Sequence, residues 1–190
     1  MEFIKENNVI KGNNSTTLVA FDLDDCLIVT QAKIKVLDKK TGNVIKELSP
    51  AEFNEFENNP KRHVLSFEDF NNPEILEQGE MIHNIFRFLK NWYKKGIPIS
   101  IVTARSSSDM IRNFFLKKGI DIHPELVIAV NDPKFSFVGA IEEKKKQALL
   151  SLIDKGFSHL IFFDDHAKNL EEAKSIERLR KDVTVSVYKV

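Results

Sequence analysis

Three carboxylates, Asp22, Asp24 and Asp25, fall within four positions, directly after the apolar run Thr17-Leu18-Val19-Ala20-Phe21. Acids crowded this closely repel one another unless a cation or a shared proton relieves them. A second apolar run, His159-Leu160-Ile161-Phe162-Phe163, ends the same way, on Asp164-Asp165. A third, from Ile97 to Val102, ends on Thr103, with Arg105 just beyond. Three lysines, Lys144-Lys145-Lys146, stand ahead of the second acidic run. Two acidic strand ends facing one another make an oxygen-rich pocket suited to Mg²⁺. A hydroxyl can hold a phosphoryl oxygen, and a lysine can offset its charge. The set favours phosphoryl transfer, where catalysis is mainly positioning and charge neutralisation.

For these residues to meet, the chain must bring several strand ends to one edge. Apolar runs of this length read as buried strands, expected at about 16–22, 97–103, 126–130, 159–163 and 183–188. Between them, apolar residues follow helical spacing. The helices are marked by Ile82, Ile85, Phe86, Leu89 and Trp92; by Ile111, Phe114 and Phe115; by Ala148, Leu149, Leu152 and Ile153; and by Leu170, Ala173 and Ile176. Three of them stop at Lys95-Gly96, Lys118-Gly119 and Lys155-Gly156, where glycine suits a helix C-cap. Strands alternating with helices predict a doubly wound, Rossmann-like α/β fold with a parallel sheet and right-handed crossovers. In such a sheet the strand ends meet at the carboxyl edge, where open α/β sheets bind ligands.

The remaining segments are smaller. Residues 1–15 read as a polar lead-in, with Val9-Ile10 pairing at a sheet edge. Lys33–Leu37 and Val44–Leu48 alternate around a Gly/Asn turn and predict a β-hairpin, expected to hang over the acids as a flap. Its lysines either attract an anionic substrate or solvate an exposed hairpin. Ser49-Pro50 looks like a helix start. The stretch from there to about Pro73 reads as a short helix plus irregular chain, with Phe53, Phe56, Phe67 and Phe70 sealing a small core. Residues 31–75 thus form a flap and small cap insertion within a single domain over 1–190.

Composition narrows the class of protein. With 28 basic and 28 acidic residues, no global field marks a nucleic-acid coat. A single cysteine, Cys26, excludes an internal disulfide and a zinc cluster. The first residues lack an apolar signal core and no stretch is long enough to span a bilayer. A cytoplasmic protein with no membrane partner, and no obligate protein partner evident, is the expectation.

Taken together, these motifs resemble the haloacid dehalogenase (HAD) superfamily over about residues 16–190. Asp22-Leu23-Asp24-Asp25-Cys26 resembles its first motif, Val102-Thr103 its second, a lysine among 144–146 its third, and Phe162-Phe163-Asp164-Asp165 its fourth. The arrangement also resembles HAD-type proteins of large tailed phages. The resemblance implies that Asp22 is the nucleophile, forming an aspartyl-phosphate, and Asp24 the general acid and base. It implies Mg²⁺ on the Asp22 carboxylate, the Asp24 main-chain carbonyl and Asp164, with Asp165 a further or water-mediated ligand. Thr103 would bond a phosphoryl oxygen and the lysine would stabilise negative charge. Lys145-x-x-Ala148-Leu149 best resembles the family's lysine spacing, with Lys144 and Lys146 as the alternatives. Arg105 either reaches the substrate or forms a surface ion pair. Asp25 is read as a bystander, His166 as a lip residue without chemistry, and Cys26 as small packing where the family usually has Thr or Val.

A second acid at position 24 goes with the family's phosphatases and mutases. The expected activity is a Mg²⁺-dependent phosphomonoester phosphatase. Caps this small would admit a nucleotide, another phosphorylated small molecule or a phosphorylated nucleic-acid end. A catalytically inactive HAD-like binding or scaffold module and a phosphotransferase are the alternatives.

Overall fold

The computed structural model describes residues 4–5, 9–10 and 16–190. Leu18 to Phe21 are fully buried, as a strand covered on both faces requires. This strand, β1 (Thr17–Phe21), is followed in chain order by α1 (His83–Lys94), β2 (Ile99–Thr103), α2 (Ser108–Lys117), β3 (Val127–Ala129), α3 (Ile141–Ile153), β4 (His159–Asp164), α4 (Ala167–Leu179) and β5 (Thr184–Lys189). The five strands form one parallel sheet in the order β3-β2-β1-β4-β5. The doubly wound, Rossmann-like reading therefore holds, with strand limits within two residues of those expected.

The order matters for function. From β1 the chain winds outward through β2 to β3, then returns past β1 to lay β4 and β5 on the other side. Right-handed crossovers of this kind put α1 and α2 on one face and α3 and α4 on the other, and α3 packs against α4. The winding reverses between β1 and β4, which is the switch point where such sheets bind ligands. The two acidic strand ends lie there side by side: Phe21 pairs with Phe163, and the Asp22 amide donates to the Phe163 carbonyl at 2.8 Å. At the amino edge, Gly119 ends the α2 turn with φ +76, a conformation that costs glycine little.

The chain divides into two compact units, 1–29 with 80–190, and 30–79. In the first unit Ile28–Val29 also pairs with Glu80–Met81, a two-residue ladder too short to leave a sequence signal. Val9-Ile10 pairs with Ile4-Lys5 in a separate two-stranded sheet, not at the edge of the main one. The rest of the lead-in lies outside the described residues.

In the second unit the hairpin is present as Ile34–Asp38 against Val44–Leu48. Asp38 Oδ1 accepts from the amides of Lys40 and Thr41 and from the Thr41 hydroxyl, which closes the turn. Ser49 caps the helix Pro50–Asn54 in a reciprocal box with Glu52. The irregular reading of the following stretch needs correction. His63–Ser66 is a third strand, pairing with Ile34–Asp38, and Pro73–Glu77 is a short helix. Phe53, Phe56, Leu65 and Phe70 pack on buried Ile34, Val36 and Leu48.

Asp69 ties the start of this hairpin down, accepting from the Lys33 amide at 3.1 Å and from Lys35 Nζ at 2.8 Å. The Lys35 ammonium holds the Asp69 carboxyl below its usual range. A depressed carboxyl stabilises the fold above its unfolded pKa of about 3.9, and this is lost as pH falls through the folded value. Asp69→Ala is therefore expected to lower stability by about 1–2 kcal/mol at pH 7, with a smaller gap at a pH below the unfolded carboxyl pKa. Urea unfolding followed by circular dichroism at both pH values measures it.

Candidate active site

The loop after β1 is shaped by its own backbone. The amides of Leu27 and Ile28 both donate to the Leu23 carbonyl, and the Asp25 amide donates to the Ile28 carbonyl. Asp25 takes the left-handed conformation at φ 56 that closes this turn, which Asp tolerates better than most residues. The turn leaves Asp22 buried, Asp24 partly buried and Asp25 exposed.

Lys145, only 2% exposed, places Nζ 2.9 Å from Asp22 Oδ1 and 2.8 Å from Asp164 Oδ2. The neighbouring lysines point elsewhere. Lys144 Nζ donates to Asn131 Oδ1 at 2.7 Å, and Lys146 Nζ to Glu172 at 2.9 Å. On a helix, positions 145, 148, 149 and 152 share one face, and the last three are fully buried. The stripe that packs α3 onto the sheet thus also aims Lys145 at the strand ends.

The other oxygen of Asp164 is also engaged. Oδ1 accepts from the His166 amide at 2.9 Å and from Asn169 Nδ2 at 2.8 Å. Asn169, on α4 and buried, did not stand out in the sequence; an Asn one helical turn past an acidic strand end is the signal that could have found it. Asp24 faces Arg105, which donates from Nε to Oδ2 at 2.9 Å and from Nη2 to Oδ1 at 2.7 Å. Arg105 is buried, and this two-bond contact joins the loop after β2 to the loop after β1. Thr103 is buried at the end of β2, and its Oγ1 accepts from the Arg105 amide at 3.4 Å.

Carboxylate oxygens of Asp22, Asp164 and Asp165 lie within 4.8 Å of one another. The carboxylate of Asp24 is not in this group. Four acids (Asp22, Asp24, Asp164, Asp165) outnumber two cations (Lys145, Arg105), and Asp25 lies close enough to Asp165 and Asp24 to add to the acidic excess. Burial and the proximity of Asp164 and Asp24 push the Asp22 carboxyl well above its usual range, with Lys145 opposing them. Burial and Asp164 also raise the Asp165 carboxyl, with Lys145 opposing them. Burial works against the charge of Lys145, but Asp22 and Asp164 outweigh it and hold the ammonium above the ordinary lysine value. An all-oxygen, excess-negative donor set fits a hard divalent cation. Cys26 is buried, its Sγ 3.6 Å from the Phe163 carbonyl. Burial, with Asp22 and Asp164 nearby, raises its thiol far above the usual range, so it is a packing group and not a nucleophile.

No family model matches this sequence, and no curated protein matches it. Solved chains match in fold, and two of them come from complexes of the same components. One is a chain of a Pnkp1/Rnl/Hen1 complex, with a TM-score of 0.52 at 14% identity over 100% of this chain and 51% of that one. The other is a chain of the Pnkp1/Rnl/Hen1 RNA repair complex, with a TM-score of 0.51 at 16% identity over 98% of this chain and 47% of that one. This chain thus spans about half the length of the solved chains it resembles, and at such identities the likeness concerns the α/β fold. No helix among the described residues is long and apolar enough to cross a membrane.

If the three acids hold a cation, Mg²⁺ or Mn²⁺ must stabilise the folded protein. A ligand at 100 times its Kd adds about 2.7 kcal/mol, roughly 5–10 °C in Tm for a chain of this size. Thermal unfolding with and without the metal should show that rise in the wild type and lose it in Asp164→Asn. An unchanged wild-type Tm would contradict a cation site.

Proposed function

We propose that this protein is a Mg²⁺-dependent phosphomonoester phosphatase of the HAD type, acting on the phosphate of a nucleotide or polynucleotide end. The observation that carries the reading is Lys145 buried between Asp22 and Asp164 at the switch point of the sheet. A buried ammonium bridging two acids at a ligand-binding edge suits a reaction in which anionic oxygens gather and charge must be offset. The α/β fold shared with chains of an RNA repair complex is in keeping with a nucleic-acid end as the carrier of the phosphate.

In this reading a carboxylate oxygen of Asp22 attacks phosphorus. The bond from phosphorus to the ester oxygen breaks, and that oxygen takes a proton from Asp24. Asp24 then removes a proton from water, the water oxygen attacks the aspartyl-phosphate, and the bond to Asp22 breaks to release inorganic phosphate. Arg105 holds both Asp24 oxygens in this structure, so one of these two bonds opens when Asp24 carries the proton. Thr103 Oγ1 accepts from the Arg105 amide, which leaves its O–H to be given to a phosphoryl oxygen. Lys145 balances charge on Asp22 and on the phosphoryl group. Mg²⁺, when held by Asp22, Asp164 and Asp165 with the Asp24 carbonyl, supplies positive charge against the acids and the incoming phosphate. Segment 30–79 stands where the family's flap and cap stand in the sequence, within a single HAD-like domain.

Hydrolysis of an aryl phosphate tests this directly. Turnover should require Mg²⁺ and vanish in Asp22→Asn, while Asp24→Asn should lose about 10²–10⁴-fold. Lys145→Met should lose about 10²–10³-fold, with Lys144→Met and Lys146→Met close to the wild type. Metal-independent turnover, or an active Asp22→Asn, would sink the proposal.

A further inference from the structure

Lys144 stands beside the buried Lys145 on α3, but its ammonium meets an amide instead of an acid. Nζ donates to Asn131 Oδ1 at 2.7 Å, and no carboxylate partners it among the described residues. The lysines on either side differ in this: Lys145 lies between Asp22 and Asp164, and Lys146 meets Glu172. Asp132 and Glu143, which adjoin the Asn131–Lys144 pair in sequence, are engaged elsewhere. Asp132 Oδ2 accepts from the Ser108 amide at 3.0 Å, and Glu143 Oε2 from the Ala140 amide at 2.8 Å.

Asn131 ties this ammonium to the site. Val130 extends the β2–β3 ladder, its amide donating to the Thr103 carbonyl at 2.8 Å. The Asn131 amide then donates to the Arg105 carbonyl at 3.2 Å, and Nδ2 to the Ala104 carbonyl at 2.6 Å. With Nδ2 turned to Ala104, Oδ1 faces Lys144. The ammonium is thus two hydrogen bonds from the backbone between Thr103 and Arg105. That backbone follows β2, which neighbours β1 at about 5 Å, and the flexible lysine stem lets the ammonium swing inward. Asn131 is exposed and Lys144 partly buried, so the pair forms an open rim on the β3 side.

The opposite side is acidic. Past β4, Asp165 lies close to the exposed Asp25, and a second anion on the substrate would be repelled there. On the β3 side it meets a cation whose charge is not cancelled, because Asn131 aims the ammonium without neutralising it. We infer that Lys144 is the subsite for a second phosphate of the substrate, the phosphodiester next to the terminal phosphate of a polynucleotide end. The inference rests on the phosphatase reading for where the terminal phosphate sits. An ammonium pairs with a phosphate oxygen through a charge-assisted hydrogen bond and reads no base, so the subsite selects a chain end over a mononucleotide without reading sequence.

Two measurements test it. In the active protein, kcat/KM is compared for a mononucleotide, a nucleoside bisphosphate and a dinucleotide bearing a terminal phosphate. The ratio of the dinucleotide to the mononucleotide should fall about tenfold in Lys144→Met and recover in Lys144→Arg, which keeps the charge. A merely structural role for Lys144 would lower both substrates together and leave the ratio where it was. In an Asp22→Asn background, which leaves the probe intact, binding of a fluorescent single-stranded oligonucleotide with a terminal phosphate is followed by anisotropy at fixed Mg²⁺. Adding Lys144→Met should reduce the slope of log affinity against log salt by about 0.7, the share of one phosphate contact on a single strand. An unchanged ratio, a loss confined to the bisphosphate, no oligonucleotide binding, or an unmoved salt slope would overturn the subsite. Failure of the phosphatase reading looks different: the wild type hydrolyses none of the esters, while the salt slope still depends on Lys144.

Discussion

The site depends on one buried cation. Without Lys145, the Asp22 and Asp164 carboxylates would face each other in a place that water barely reaches, where like charges interact far more strongly than at a surface. Its ammonium lies within 3 Å of both, so α3, β1 and β4 are held together by charge as well as by apolar contact. Breaking a buried ion pair from one side typically costs about 3–5 kcal/mol. The position of α3 therefore constrains the site as firmly as the sheet does.

Around this centre the other contacts divide the acids by role. Asn169 and the His166 amide fix one oxygen of Asp164, and Lys145 takes the other. Arg105 takes both oxygens of Asp24 and draws that carboxylate out of the cation-sized cluster formed by Asp22, Asp164 and Asp165. Two acids near in sequence thus end in different surroundings, one against a lysine and one against an arginine. That separation suits a proposed nucleophile beside a proposed proton carrier. It also leaves the negative excess concentrated where a divalent cation would offset it.

Much of the fold was legible because its signals are local. Apolar runs ending in Asp, helices ending in Lys-Gly and their alternation dictate a parallel sheet, and such a sheet gathers its strand ends. Lys145, favoured on its resemblance to the family's lysine spacing, is also the one of the three that continues the buried stripe through Ala148, Leu149 and Leu152. What it hid was set by tertiary contact. His63–Ser66 has no clean alternation and becomes a strand only by pairing with Ile34–Asp38. The Arg105–Asp24 contact spans 81 residues, so no spacing rule announces it.

The central proposal, that Asp22 carries the phosphoryl group, is tested most directly by acid-quenching the protein during incubation with substrate and mapping the phosphorylated peptide by mass spectrometry. The account predicts a phosphoryl group on Asp22, absent when Mg²⁺ is withheld. Turnover with the phosphoryl group on another residue, or with none trapped on Asp22 while phosphate is released in a burst, would contradict it.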